Sequence, residues 1–88
     1  MVDGIRFASK KEAQRYSDLC IMHQAGEVLW FCRQPRFVIE GGEYVADFIV
    51  LYRCGALIVE DVKGILTPVY RRSKRQMKER YEIDIQEI

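Results

Sequence analysis

Three charged side chains in the middle of the chain stand where an apolar core would be expected. Asp47 interrupts the apolar run Tyr44–Tyr52, and Asp61 and Lys63 close the next apolar run, Ala56–Val62. A lone buried carboxylate is costly unless it is paired or coordinates a metal. Two carboxylates and an ammonium group at the end of a hydrophobic hairpin are suited to binding a divalent cation. The alternative is an internal ion pair at the end of a sheet.

The two apolar runs must position these charges. Both are rich in Val, Ile, Leu, Phe and Tyr, and Arg53-Cys54-Gly55 separates them, which predicts two strands joined by a hairpin turn. Neither run alternates strictly, and this favours a central sheet covered on both faces. Because successive strand side chains point to opposite faces, Asp61 and Lys63 share one face and Glu60 lies on the other. A hairpin can bring Asp47 beside Asp61 and Lys63, whereas we expect Glu60 to form a salt bridge or to contact a partner.

The order of these residues resembles a known nuclease signature. The segments Tyr44-Val45-Ala46-Asp47-Phe48 and Glu60-Asp61-Val62-Lys63-Gly64 are similar to the two halves of the PD-(D/E)XK motif, with Ala46 in the place of its variable proline. The likeness is to the small phage-encoded branch of that superfamily, and it covers nearly the whole chain. It implies a divalent-metal-dependent DNA endonuclease that hydrolyses phosphodiester bonds and selects branched DNA, as a Holliday junction resolvase does. The alternative is a non-catalytic DNA-binding or assembly module that retains the nuclease fold.

The resemblance also implies roles for single residues. Asp47 and Asp61 would bind Mg²⁺, for which Mn²⁺ can substitute, together with the backbone carbonyl of Val62. Lys63 would lie beside the attacking water, where it lowers the pKa of that water, orients it or stabilises the charge on phosphorus. Gln34 matches a polar position near the active site of related phage nucleases, although it is equally well interpreted as a polar residue of an edge strand.

A helix is predicted ahead of the strands. The segment Ser9-Lys10-Lys11-Glu12 fits a capping box with Ser9 as the N-cap, and the helix is expected to run to about Gln24 and to stop at Gly26. Glu12 lies in line with the helix face that packs on the sheet. It either caps the helix or contributes a third carboxylate to the metal site. The resemblance favours the second role, because PD-(D/E)XK proteins commonly carry such a glutamate on their first helix.

Short strands are predicted between this helix and the central hairpin. The first is Glu27–Arg33, which Gln34-Pro35 interrupts because proline has no N–H to donate to a ladder. The segment Arg36–Glu40 then forms a second short strand or continues the first beyond a bulge. Gly41-Gly42 is expected to form the turn into the strand at Tyr44.

The last third of the chain predicts a helix and an edge strand. Thr67 as N-cap and Pro68 at the first helical position begin a helix that runs to about Arg80. Apolar and polar residues alternate over Tyr81–Ile88, which predicts a half-buried strand at a sheet edge. The chain is thus expected to be one α/β (α+β) domain over residues 1–88, ordered α-β-β-β-α-β, with a mixed central sheet flanked by helices. That order resembles the restriction-endonuclease-like core.

The second predicted helix is strongly basic. Between Arg71 and Arg80 there are six basic residues and one acidic residue. Such a stripe is either a solvated face or a surface that follows a nucleic-acid backbone. Phosphate contacts position a substrate without reading its sequence, so we expect recognition of DNA shape. The candidate DNA-contacting residues are Lys10, Arg71, Lys74, Arg75 and Lys78.

Composition narrows the class of protein. The chain has 88 residues, of which 49% are hydrophobic and 31% charged, and its net charge is +1, which is typical of a globular domain. The three cysteines have no C-x-x-C spacing and indicate neither a disulfide framework nor a zinc site. A chain this short buries only about 60% of its unfolded surface, which favours a homodimer. No signal peptide or membrane-spanning run is visible, so we expect a cytoplasmic location, in a bacterium or a phage-infected host.

Overall fold

Two helices and six strands build the part of the chain that is placed by the computed structural model, residues 4–7, 9–62 and 67–88. In chain order the elements are α1 (Lys10–Gln24), β1 (Val28–Arg33), β2 (Arg36–Ile39), β3 (Gly42–Val45), β4 (Phe48–Tyr52), β5 (Leu57–Asp61), α2 (Pro68–Tyr81) and β6 (Ile85–Glu87). Four strands form one sheet in the order β1-β4-β5-β6, and β2 pairs with β3 in a second sheet. The first three strands of the larger sheet are antiparallel, and β6 lies parallel to β5. The fold is therefore α+β with a mixed sheet. The two helices and the four strands of the larger sheet follow the predicted order α-β-β-β-α-β, and β2 and β3 are additional.

Helix α1 begins and ends where its local sequence predicts. The hydroxyl of Ser9 accepts a hydrogen bond of 3.1 Å from the backbone N–H of Glu12, so Ser9 is the N-cap. The helix ends at Gln24, and Gly26 follows with a φ of +83°. Glycine adopts this left-handed conformation without the steric cost that a Cβ would add. The predicted bounds of the helix are confirmed.

The apolar run Tyr44–Tyr52 is not the single strand that the sequence predicts. It divides into β3 and β4, which belong to different sheets, and Ala46 and Asp47 lie between them. The cause is on the facing strand, where Gln34 has a φ of +49° and Pro35 has no N–H. The ladder is locally irregular there, and the chain passes from one sheet to the other.

The two sheets nevertheless continue one another. Arg33 faces Phe48 at the end of one ladder, and Arg36 faces Val45 at the start of the next. Between them, the N–H of Gln34 donates to the carbonyl of Asp47 at 2.9 Å, and the N–H of Ala46 donates to the carbonyl of Pro35 at 3.1 Å. We call this continuous pair of strands, from Val28 to Tyr52, the ribbon. The sequence left open whether Arg36 opens a new strand or continues the first one, and the ribbon does both.

The tip of the ribbon differs slightly from the prediction. Ile39 pairs with Gly42, so the turn consists of Glu40 and Gly41 and not of Gly41-Gly42. Gly41 has a φ of +86°, which explains why glycine is needed at this position. Helix α2 fastens the tip, because the side chain of Gln76 accepts a hydrogen bond of 2.6 Å from the backbone N–H of Glu40.

Helix α2 also has the predicted start. Thr67 is its N-cap, accepting a hydrogen bond of 3.1 Å from the N–H of Tyr70, and Pro68 occupies the first turn. The helix extends to Tyr81, and Glu82 then adopts the left-handed conformation with a φ of +57°. The predicted strand from Tyr81 is therefore too long, since only Ile85–Glu87 is extended and paired. Its predicted place at a sheet edge is confirmed.

Apolar clusters on both faces of the larger sheet enclose β4 and β5, as predicted. The cluster on the α1 side consists of Leu19, Val28, Phe48, Val50 and Val62. The cluster on the side of α2 and the β2–β3 hairpin consists of Ile39, Tyr44, Ala46, Val59, Met77 and Ile85. Each fully buried aliphatic or aromatic side chain contributes about 1.5–3 kcal/mol. Among the described residues, neither helix has the length and apolarity needed to cross a bilayer.

Candidate active site

Two central aspartates line one cavity at the end of the β4–β5 pair. β4 begins at Phe48, which faces Glu60, and β5 ends at Asp61, so Asp47 and Asp61 both lie next to the last facing pair of this ladder. Both are almost fully buried, with exposed fractions of 4% and 5%. The cavity has a volume of about 680 Å³. The two predicted carboxylates therefore line the same cavity, Asp47 just before β4 and Asp61 at the end of β5.

Three hydrogen bonds to backbone groups of other residues hold Asp47 in place. Its Oδ2 accepts a hydrogen bond of 2.7 Å from the N–H of Val62, and its own N–H donates to the carbonyl of Glu60 at 3.1 Å. Its carbonyl accepts the bond from Gln34 described above. A hydrogen bond to a carboxylate is among the stronger ones. The side chain of Asp47 is thereby fixed relative to the end of β5.

Asp61 is held by a side chain from the other sheet. Tyr44, on β3, donates a hydrogen bond of 2.8 Å from its hydroxyl to Oδ2 of Asp61, and both residues are buried. Burial and then the neighbouring carboxylate of Asp61 raise the pKa of the Tyr44 hydroxyl, which stays a donor at physiological pH. The backbone carbonyl of Asp61 accepts a 3.0 Å bond from the N–H of Ile88. Asp61 is therefore the point where β3, β5 and the C-terminal segment meet.

Glu12 lines the same cavity from the first turn of α1. It is 4% exposed, and the Ser9 half of the capping box is formed through its backbone N–H. The structure thus shows Ser9 as the cap and Glu12 at the cavity, and the choice between the two roles of the Glu12 side chain stays a prediction. Within residues 4–7, 9–62 and 67–88, however, no three His, Cys, Asp or Glu side chains are grouped closely enough to hold a metal.

The donor set still fits one particular kind of ion. Mg²⁺ takes hard oxygen ligands, keeps several waters and is commonly bound through one or two carboxylates. Asp47 and Asp61 supply two such carboxylates, and the wall of the cavity includes Val62 beside them. A zinc or calcium site made of side chains alone would require more protein ligands. Asp47 and Asp61, with Glu12 in the same lining, are the residues that could hold Mg²⁺.

Lys63 and Gln34 are the other two predicted site residues. Lys63 lies outside the described residues. Gln34 has an exposed side chain, and its backbone N–H donates to the carbonyl of Asp47. Gln34 is absent from the cavity lining among the described residues. Its contribution within the fold is the left-handed backbone that interrupts the ribbon beside Asp47.

Glu60 faces away from the cavity, as strand parity predicts, and forms a salt bridge. Arg15 of α1 binds it in a bidentate manner, with Nε 2.8 Å from Oε1 and Nη2 2.6 Å from Oε2. The hydroxyl of Tyr52 lies 3.3 Å from the same carboxylate. Glu60 is 1% exposed, and its hydrogen bond raises the pKa of the Arg15 guanidinium. This group joins α1 to β5 and thereby holds the helix that carries Glu12.

The four residues of α2 that were predicted to contact DNA fall into two groups. Lys74 and Lys78 form ion pairs of 3.0 Å with Glu87 and Asp84. Arg71 and Arg75 are exposed, and the described part of the chain provides neither of them with an ion-pair partner. Exposed ion pairs are weak and can be exchanged for other partners. Lys10 is exposed at the start of α1.

Sequence reasoning missed two tyrosines of the cavity. Tyr44 has the spacing of a strand core residue, and nothing in its local sequence shows that it reaches Asp61. Tyr70 lines the cavity from α2, and the centroid of its ring lies 6.3 Å from that of Tyr44. Burial raises the pKa of Tyr70 to about 12. Its buried hydroxyl has no hydrogen-bond partner in the described structure.

One protein family matches this chain. The family model described as "Protein of unknown function (DUF1064)" matches residues 1–87, so the chain belongs to the DUF1064 family. No curated protein matches the chain. The description of the family states no activity, so a function can be inferred only from the residues of the cavity and the surface around it.

Proposed function

We propose that this chain is a Mg²⁺-dependent DNA endonuclease of the PD-(D/E)XK type that acts on branched DNA in the cytoplasm. One observation carries the proposal: two buried carboxylates, Asp47 and Asp61, line one cavity at the end of the β4–β5 ladder. Buried carboxylates rarely improve stability by themselves, and this favours a ligand-binding role. The sequence Asp47…Asp61-Val62-Lys63 supplies the acids and the lysine of the motif in the expected order.

The residues divide the reaction among them. Asp47 and Asp61 would hold Mg²⁺ with the carbonyl of Val62, and Glu12 would order the water around it. When bound, the ion supplies charge neutralisation at phosphorus and a nucleophilic water. Lys63 directly follows Val62 and has the role of orienting that water. Addition of water across the P–O bond leaves a phosphomonoester and a hydroxyl, and the proton of the water goes to the leaving oxygen or to solvent.

The exposed arginines of α2 are the proposed contacts to the DNA backbone. Arg71 and Arg75 have exposed side chains on the helix whose first residues line the cavity. Lys74 and Lys78 add to this surface when DNA phosphates replace Glu87 and Asp84 as their partners. Lys10 extends it from α1. Such contacts make binding dependent on salt concentration and indifferent to sequence.

The proposal is tested by cleavage of a labelled four-way junction beside a linear duplex of matched sequence. Each substrate is incubated with Mg²⁺ or with EDTA, and with Asp61→Ala protein. Glu27→Ala is the matched control, because it removes an exposed carboxylate that neither lines the cavity nor lies on α2. We expect Mg²⁺-dependent cutting of the junction by the wild type and by Glu27→Ala, and none by Asp61→Ala. If the wild type cuts neither DNA, the catalytic proposal is wrong.

A second candidate is a DNA-binding or assembly module without catalysis. The observation that favours it is that the described residues contain no group of three metal-binding side chains. The same assay distinguishes the two candidates. Binding of the junction without cleavage, equal for the wild type and Asp61→Ala, would support the module.

A homodimer is part of the proposal. Trp30 faces Leu51 and Leu51 faces Leu57, so three apolar side chains form one row across three strands. Trp30 and Leu57 are exposed by 50% and 52%. A second copy placed on this row covers apolar surface that a chain of 88 residues cannot bury by itself. Sedimentation velocity is expected to show a dimer for the wild type and a monomer for Trp30→Ser; a monomeric wild type at micromolar concentration would contradict this.

A further inference from the structure

We infer that Tyr44 is a positioning residue, which orients the carboxylate of Asp61 for the cation through its 2.8 Å hydrogen bond. The inference rests on the proposed function, because it concerns the same cavity. Tyr44 would touch neither the cation nor the DNA. It acts on Asp61 from outside the set of metal ligands.

The geometry gives the hydrogen bond a single direction. A phenol hydroxyl beside a carboxylate donates, and Oδ2 of Asp61 accepts. The terminal torsion of an aspartate is broad, so the carboxylate plane is not fixed by the backbone alone. A donor from a separate element selects one orientation of that plane. Tyr44 is suited to this, because it is 7% exposed and lies on β3, whose ladder with β2 includes the pair Phe37 and Tyr44.

The two carboxylates are oriented by different means. Asp47 receives the N–H of Val62, which cannot be altered by a change of side chain. Asp61 receives a hydroxyl that one substitution removes. Partners of metal ligands typically change metal affinity by about 10–100-fold when they are removed. Tyr44 is therefore the position at which the orientation of a ligand can be tested separately from the ligand itself.

The same cavity contains a matched control. Tyr70 lies with its ring 6.3 Å from that of Tyr44, lines the same wall and has a buried hydroxyl without a partner in the described residues. Tyr70→Phe and Tyr44→Phe each remove one oxygen atom and keep the ring. Only Tyr44→Phe removes a hydrogen bond to Asp61. A general effect of cavity polarity would appear in both variants.

The experiment is titration of metal-free protein with Mn²⁺, followed by calorimetry or by the electron paramagnetic resonance of free Mn²⁺. We expect Tyr44→Phe to bind Mn²⁺ about 10–100-fold more weakly than the wild type, and Tyr70→Phe to bind within about 2-fold of it. Replacement of Tyr44 by p-aminophenylalanine restores an N–H donor at the same place, and we expect it to restore most of the affinity. Thermal unfolding of each metal-free protein shows whether the fold is kept.

Each result decides the matter. Tyr44→Phe with wild-type Mn²⁺ affinity overturns the inference, even if its melting temperature falls, because the hydrogen bond is then purely structural. An equal loss in Tyr70→Phe also overturns it. If Tyr44→Phe does not fold, the p-aminophenylalanine protein decides: affinity near that of the wild type supports the inference, and a large loss in a folded protein contradicts it. A wild type that binds no Mn²⁺ overturns the metal-dependent function and the inference together, whereas the other contradictory outcomes leave the function intact.

Discussion

Glu60 and Asp61 are neighbours on β5, but their side chains point to opposite faces of the sheet and have different kinds of partner. Glu60 is enclosed on the α1 side, where Arg15 binds both of its oxygens. Asp61 lines a cavity on the other side and accepts a hydrogen bond from an uncharged phenol. Both are at least 95% buried. Burial alone therefore does not distinguish an acid that holds the fold together from an acid available for chemistry; its partners and the space beside it do.

The largest effect that would sharpen this comparison is expected from Asp61→Asn. The amide keeps an oxygen to accept the Tyr44 hydrogen bond but removes the charge that is proposed to bind the cation. We expect single-turnover cleavage of a four-way junction to fall at least about 1000-fold, which corresponds to about 4 kcal/mol of transition-state stabilisation. The urea midpoint should change little. Cleavage within 10-fold of the wild type would show that Asp61 is not a ligand.

On the other side of the strand, Glu60→Ala should act on stability. It leaves the guanidinium of Arg15, which is 18% exposed, without its bidentate partner. Removal of one member of a buried ion pair costs about 3–5 kcal/mol of unfolding free energy, and urea denaturation measures this. The double variant Arg15→Met/Glu60→Met is the control, because apolar replacement of both partners is often close to neutral. A double variant as unstable as Glu60→Ala would mean that the charges themselves are needed.

The smallest expected effect concerns Tyr52 and alkaline pH. Burial and then the carboxylate of Glu60 raise the pKa of its hydroxyl in the folded protein. A raised folded pKa adds stability that is complete below the unfolded pKa of about 10 and is lost as pH rises through the folded value. Tyr52→Phe should therefore lose stability less steeply than the wild type above about pH 10, as measured by urea denaturation at several pH values. Parallel curves would contradict the shift.

Patterns of neighbouring residues predicted most helices and strands correctly. Features that depend on residues far apart in the sequence were not predicted. Ser9 and Thr67 locate both helix starts because a cap involves only a few consecutive residues. The alternation of side chains along a strand is equally local, and it correctly placed Glu60 and Asp61 on opposite faces of β5. The break in the ribbon at Ala46 and Asp47 depends on Gln34 and Pro35, which face it across the ribbon. A single sequence does not show that pairing.

The partners of the two acids were also beyond the sequence. Arg15 reaches Glu60 only because α1 packs across the larger sheet, and Tyr44 reaches Asp61 only because the ribbon bends between β3 and β4. These contacts depend on the angle between elements, which hydrophobic patterning does not specify. The position of the cavity could be predicted from Asp47 and Asp61, whereas the tyrosines that surround it could not.

We expect the ribbon to begin folding at its tip. Its tip at Glu40 and Gly41 closes the shortest loop, so pairing can begin there and proceed inward to Asp47 as each facing pair is added. Hairpins of this kind close in about 1–10 μs. Asp61 lies outside the ribbon, on β5, so it comes beside Asp47 only when the separate β4–β5 ladder also forms. β6 joins β5 through a connection that contains α2, and its pairing adds the bond from Ile88 to Asp61.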